Sequence, residues 1–168
     1  AEVLRQNGFS TAAFGKYHET PPWEISVSGS LDRWPTRSGF DKFYGFIGGE
    51  TNQWAPLLYD GLTQVELRKD PNYHFMTDMT NQAIKWVRSV KSLTPDKPFF
   101  MYFAPQAGPA PHHVPTEWVD RYEGVFDDGY EAIRDRILAR QKELGLLPED
   151  TALSGINPHG EPAVTGPD

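Results

Sequence analysis

A lysine and a histidine lie two residues apart after a short apolar stretch near the start of the chain. Residues 9–14 are predicted to form a β-strand and residues 15–18, Gly-Lys-Tyr-His, the loop that follows it. In an extended loop the side chains of Lys16 and His18 can point the same way. A lysine offers fixed positive charge to an oxyanion, and a histidine can move a proton near neutral pH. The pair suits group transfer at a tetrahedral anion such as sulfate or phosphate, although by spacing alone a solvated turn is the commoner explanation.

A second histidine-bearing loop follows the most apolar run of the chain. Residues 99–103, Phe-Phe-Met-Tyr-Phe, predict a strand that is buried on both faces, and residues 104–115 the loop after it. Sites in open α/β sheets form outside the carboxyl ends of strands, which makes His112 and His113 candidates. Adjacent histidines diverge, however, and a metal would need further ligands nearby. A polar loop packed on its neighbours is therefore the favoured interpretation of this pair.

The elements that must position these loops predict an α/β layer. A helix ending near Gly8, a strand over residues 40–47 and a turn near residues 60–61 are expected in the first part of the chain. A helix followed by the strand at residues 99–103 is one unit of such a layer. Apolar residues at spacings of three and four define the buried face of that helix: Met76, Met79, Ala83, Val87 and Val90.

The last third of the sequence predicts helices and then an arm. A short helix is expected over residues 116–122, and a longer one over residues 128–144. Ile133, Ile137 and Leu144 form the expected buried stripe of the longer helix. Residues 148–168 are polar and rich in proline and glycine, which indicates an extended or mobile arm.

Composition excludes several classes of function. The net charge of −7 disfavours non-specific binding to nucleic acid, so no nucleic-acid partner is expected. The sequence has no cysteine and therefore no disulfide, thiol nucleophile or cysteine metal site. No apolar run approaches the roughly 18 residues needed to span a bilayer. The chain opens as if a helix were already under way, which predicts an internal fragment and leaves its compartment open, with bacterial periplasm and cytoplasm both plausible.

Four stretches of the chain together resemble the sulfatase family, in its bacterial arylsulfatase branch. They are LRQNGFSTAAFGKYH, GFDKFYGFIGGETNQWAPLLYDG, KPFFMYFAPQAGPAPHHVPTEWVDRYEGVFDDGYEAIR and RQKELGLLPEDT, in the family's order over nearly the whole chain. The resemblance implies an α/β fold, here a fragment of an alkaline phosphatase-like mixed sheet flanked by helices. It makes residues 1–147 part of a sulfatase catalytic domain and residues 148–168 an extended arm of the same domain.

The same resemblance implies a sulfuric ester hydrolase. Such enzymes carry a formylglycine, installed by a formylglycine-generating enzyme, and one calcium ion. By this similarity Lys16 binds the sulfate and the formylglycine, and His18 contacts the hydrated aldehyde and helps expel sulfate. The nucleophile segment Cys-x-Pro-x-Arg and the calcium ligands are expected outside this chain, so no metal ligand is assigned within it and the fragment alone is expected to be inactive.

One departure from the family pattern lies inside the chain. Related enzymes show Ala-Pro-His-x-Pro after the apolar strand, and aligning Ala107 and Pro111 with its first and last residues puts Pro109 at the catalytic histidine position. His112, three residues further on, is the substitute candidate for binding the substrate. The departure leaves two alternatives to a sulfatase open: a phosphodiesterase or phosphonate monoester hydrolase of the same superfamily, and a catalytically dead protein that binds sulfate esters.

Overall fold

The chain divides into two compact units, Ala1–Val114 and Pro115–Asp168, which are described separately. The computed structural model describes residues 1–67, 69–106 and 108–155. The division falls between residues 114 and 115, and the boundary expected at residue 148 stays a prediction.

A five-stranded mixed sheet with flanking helices forms the first unit, which confirms the predicted α/β class. The strand order is β4-β3-β2-β1-β5, with β1 parallel to both β2 and β5 and β3 antiparallel to β2. Two 3₁₀ turns, Pro22–Glu24 and Pro35–Arg37, lie between β1 and β2. The elements are α1 (Glu2–Gln6), β1 (Ser10–Tyr17), β2 (Lys42–Ile47), β3 (Tyr59–Asp60), β4 (Thr63–Gln64), α2 (Phe75–Leu93) and β5 (Phe99–Ala104).

The sheet is covered on both faces by apolar side chains. On one face Phe14 of β1 packs in a cluster with Met79 and Ala83 of α2, as the spacing of apolar residues in that helix predicted, and with Phe75, which was not part of that prediction. On the other face the fully buried Trp34 packs with Phe43, and its indole N–H donates to the backbone oxygen of Glu24 over 2.7 Å. Each large apolar side chain buried in this way contributes about 1.5–3 kcal/mol.

Strand β1 is longer than the sequence predicted. Gly15, Lys16 and Tyr17 belong to the strand and not to the following loop, because β2 pairs with all three residues and β5 also pairs with Gly15. Gly15 is paired with Gly45 on one side and with Ala104 on the other.

Strand β5 differs from the prediction in its burial. It was expected to be buried on both faces, yet Tyr102 and Phe103 are 45% and 40% exposed. The reason is that β5 is the edge of the sheet and pairs only with β1 within the part of the chain that the structure describes. Its parallel pairing with β1 nevertheless brings the two strands' carboxyl ends to the same edge of the sheet.

The second unit contains α3 (Thr116–Val119), a 3₁₀ turn (Asp120–Tyr122) and α4 (Gly129–Glu143). The predicted helices are present, but the stripe expected to be buried is not: Ile137 and Leu144 are 52% and 53% exposed. Residues 148–155 turn back on α4, where the guanidinium of Arg134 donates to the Ser154 hydroxyl over 2.9 Å. The rest of the predicted arm, residues 156–168, lies outside the described residues.

Candidate functional site

Lys16 and His18 mark the carboxyl end of the central strand. Lys16 is partly buried and pairs in register with Phe46 of β2, while His18 is the first residue after β1 and is exposed. Because side chains alternate along a strand, Lys16 continues the face of Ala12 and Phe14, and Tyr17 joins the opposite cluster. Lys16 forms no ion pair with any residue that the structure describes.

Gly15 lets β1 and its neighbours approach closely just before Lys16. Its φ is +103°, in the region that favours glycine. A Cβ at this position would lie 2.1 Å from the backbone oxygen of Ala104 and 2.6 Å from Sδ of Met79. A side chain on Gly15 would therefore push β1 away from β5 and from α2, just before Lys16.

Residues 48–54, which we call the glycine loop, follow β2 and lie beside the end of β1. The N–H of Gly48 donates to the backbone oxygen of Tyr17 over 2.8 Å, which extends the pairing of the two strands by one step. Gly49 then lies against the imidazole of His18. The loop therefore touches the candidate site directly.

Residues 105–114, which we call the histidine loop, follow β5 and are tied to the glycine loop by one buried amide. Oε1 of Gln106 accepts the backbone N–H of Thr51 over 3.0 Å and the side-chain amide of Gln53 over 2.9 Å. Its own amide nitrogen donates to the backbone oxygen of Ala110 over 3.2 Å. A single side chain thus fixes two site loops. Gln106 was not predicted as a site residue, because no periodic or motif signal distinguishes a buried glutamine from a solvated one.

His113 forms hydrogen bonds with Gln53 and with His74. Its Nδ1 accepts the backbone N–H of Gln53 over 3.4 Å, and its backbone oxygen accepts Nε2–H of His74 over 3.1 Å. The His74 ring packs edge-on against Trp54, with centroids 4.8 Å apart. These contacts agree with the interpretation of His113 as part of a polar loop that packs on its surroundings.

His112 and Pro109 lie exposed in the same loop. No hydrogen bond among the described residues joins His112 to Lys16 or to His18. The role of His112 in substrate binding stays a prediction, and so do the roles of Lys16 and His18.

A carboxylate on α2 anchors the start of that helix to β2. Asp78 accepts the hydroxyl of Tyr44 over 2.5 Å and that of Tyr73 over 3.0 Å. Burial, followed by the neighbouring Asp78 carboxylate, raises the pKa of both tyrosines well above the ordinary value. Both hydroxyls therefore stay protonated and serve as donors.

Within residues 1–67, 69–106 and 108–155, no group of three or more histidine, aspartate or glutamate side chains could hold a metal ion. The described residues thus do not fit a calcium site. The described part of the chain contains no helix with the length and apolarity required to cross a membrane.

The sequence of the chain assigns it to a protein family. Residues 1–154 match the family model described as Sulfatase, and the chain belongs to the sulfatase family. It is 25% identical over 163 residues to the arylsulfatase of Klebsiella aerogenes, covering 91% of this chain and 33% of that protein. It is 24% identical over 174 residues to an uncharacterized sulfatase of Schizosaccharomyces pombe, covering 95% of this chain and 29% of that one.

The fold is also similar to a solved structure. The crystal structure of Ps i-CgsB in complex with k-i-k-neocarrahexaose matches with a TM-score of 0.58 and 22% identity, over 72% of this chain and 29% of that one. The chain thus spans about a third or less of the length of these relatives.

Proposed function

We propose that this chain supplies part of the anion-binding site of an arylsulfatase-like sulfuric ester hydrolase. The observation that carries the proposal is the position of Lys16 and His18 at the carboxyl end of β1, next to both site loops. Membership of the sulfatase family supports sulfate as the anion.

Lys16 acts as the fixed cation of the site. Its ammonium group binds a sulfate oxygen and offsets the negative charge that remains on the sulfate when the ester bond breaks. Its lack of an ion pair with any described residue supports this role, since a carboxylate partner would compete with the sulfate.

His18 acts beside it through its imidazole. The ring is exposed, and neither ring nitrogen has a hydrogen-bond partner among the described residues. It can therefore donate to a sulfate oxygen and take up or release a proton during turnover.

The remaining chemistry belongs to the complete protein. A formylglycine, installed by a formylglycine-generating enzyme, supplies the nucleophilic hydroxyl when present, and a calcium ion, with ligands outside this chain, supplies further positive charge. Lys16 and His18 are the residues of this chain that would face the formylglycine.

Pro109 supports a second candidate function. The resemblance puts a catalytic histidine at this position, and a proline side chain can neither donate a proton nor bind an anion. A protein with this loop could bind sulfate esters without hydrolysing them. Loss of one general acid slows a reaction by about 10²- to 10⁴-fold. The rate of sulfate release that remains therefore distinguishes a slow sulfatase from a protein that only binds sulfate esters.

Sulfate affinity tests the proposed anion site without requiring turnover. In the complete protein, Lys16→Ala removes a charge-assisted hydrogen bond worth about 1.5–3 kcal/mol, which corresponds to a rise in Kd of about tenfold to about 150-fold. Lys85→Ala is the matched control, because Lys85 is an exposed lysine on α2. Isothermal titration with sulfate compares the two variants. Equal affinities would contradict the proposal.

A further inference from the structure

The imidazole of His18 lies against a residue without a side chain. A Cβ built on Gly49 would lie 3.1 Å from Cε1, 3.2 Å from Nε2 and 3.7 Å from Nδ1 of His18. An ordinary van der Waals contact of a Cβ is 3.4–4 Å, so the space that a side chain at Gly49 would need is already taken by the ring.

The ring approaches Gly49 closely without forming a hydrogen bond to any described residue. No hydrogen bond to either His18 nitrogen occurs within the described residues, whereas the rings of His74 and His113 each have a partner. Contact with the glycine loop is therefore a restraint on the ring that uses neither nitrogen, and it leaves both nitrogens available to a ligand.

The backbone at Gly49 does not itself require glycine. Gly48, next to it, has a φ of +121°, in the region that disfavours other residues. Gly49 has a φ outside that region, so alanine can adopt its backbone conformation. A side chain at Gly49 would instead require the His18 ring to shift by a few tenths of an ångström.

We infer that Gly49 is the positioning residue for His18: its bare α-carbon sets the depth and tilt of the imidazole at the anion site. The hydrogen bond from Gly48 N–H to the Tyr17 oxygen holds the loop at a constant distance from the end of β1. The specific role of His18 toward sulfate rests on the proposed function, whereas the restraint on its ring does not.

Gly49→Ala in the complete protein tests this inference. The ring must give way by a few tenths of an ångström. A displacement of 1 Å can slow a reaction by about 100-fold. The smaller shift here should lower sulfate affinity several-fold, and well below that limit. Gly155→Ala is the control, since nothing lies within 4 Å of a Cβ there and its φ is also ordinary.

Two readouts separate positioning from a general loss of structure. The ring resonances of isotope-labelled His18, assigned from their loss in His18→Ala, should shift in Gly49→Ala while those of His74 and His113 stay in place. In a double-mutant cycle, Gly49→Ala should have little effect on sulfate affinity once His18 has been replaced by alanine.

The outcomes distinguish failure of the inference from failure of the proposed function. Unchanged His18 resonances in Gly49→Ala overturn the inference, and so does an effect on affinity that persists in full without His18. If His18→Ala alone leaves sulfate affinity unchanged, the proposed role of His18 is wrong, and the resonance shift still decides whether Gly49 positions the ring.

Discussion

The side-chain amide of Gln53 donates to Oε1 of Gln106 over 2.9 Å, and the two side chains are only 1% and 2% exposed. This buried pair joins the loop that follows β2 to the loop that follows β5. The strands themselves are not neighbours, since β1 lies between them. The pair therefore links the two loops across the carboxyl end of β1, where Lys16 and His18 lie.

Replacing Gln106 should loosen both loops. Gln106→Ala leaves the part-buried backbone N–H of Thr51 and the buried side-chain amide of Gln53 without their acceptor. The loss costs about 1–3 kcal/mol for the buried Gln53 donor and less for Thr51. Urea denaturation should show the loss in the free energy of unfolding, and hydrogen exchange should show faster exchange at the Thr51 amide. The control Gln64→Ala removes an exposed glutamine of β4 and should change neither quantity. A Thr51 amide that stays protected in Gln106→Ala would contradict the bridging role.

The same glutamines show what the sequence could and could not predict. The central strands and the buried face of α2 follow from apolar runs and spacing. The Lys-x-His pattern is also visible in the sequence alone, although Lys16 lies within β1 and not in the loop after it. The contacts between Gln53 and Gln106, and between Gly49 and His18, join residues about 50 and 30 positions apart. Neither residue type carries a periodic signal, so these contacts follow only from the pairing of the strands. The exposure of Phe103 was likewise beyond local pattern, because an apolar run does not reveal which strand is at the edge.

Gly15→Ala should destabilise the sheet beside Lys16. A Cβ would lie 2.1 Å from the Ala104 oxygen, on a backbone with φ +103°. Overpacking of this kind costs about 1–3 kcal/mol, and strain at a positive φ adds to it. Thermal denaturation should show a lower Tm than for Gly155→Ala, whose Cβ has open space. Equal melting temperatures would show that β1 and β5 can separate without cost.

Alkaline pH should destabilise the fold through the tyrosines that donate to Asp78. Their ordinary pKa is 10.0, and the folded state raises it. Above about pH 10 the unfolded chain loses these protons while the folded chain keeps them, so the stabilising contribution, complete below that pH, declines as pH rises. The free energy of unfolding should fall with pH over this range, and the slope should be smaller in Tyr44→Phe. An unchanged slope in Tyr44→Phe would contradict the account. The control is Tyr130→Phe, which replaces an exposed tyrosine and should leave the slope as it is.

Restoring a histidine at residue 109 should raise turnover. Pro109→His puts an imidazole where the family resemblance puts the general acid, and such a group contributes about 10²- to 10⁴-fold. The measurement is the rate of sulfate release by the complete protein carrying Pro109→His. The control is Ala110→His, which places an imidazole one residue away. If Ala110→His gains as much, the alignment of Pro109 with the catalytic histidine is wrong.

The most direct test of the account is sulfate release from a simple aryl sulfate by the complete protein, expressed with a formylglycine-generating enzyme. We predict that turnover falls by at least about 100-fold in Lys16→Ala, since loss of a positioned charge from the transition state costs about that much or more. Turnover should be unchanged in Lys85→Ala. Undiminished turnover in Lys16→Ala would contradict the assignment of this chain to the anion site of an active sulfatase. So would a lack of turnover in the unsubstituted protein, if that protein is folded and mass spectrometry confirms its aldehyde.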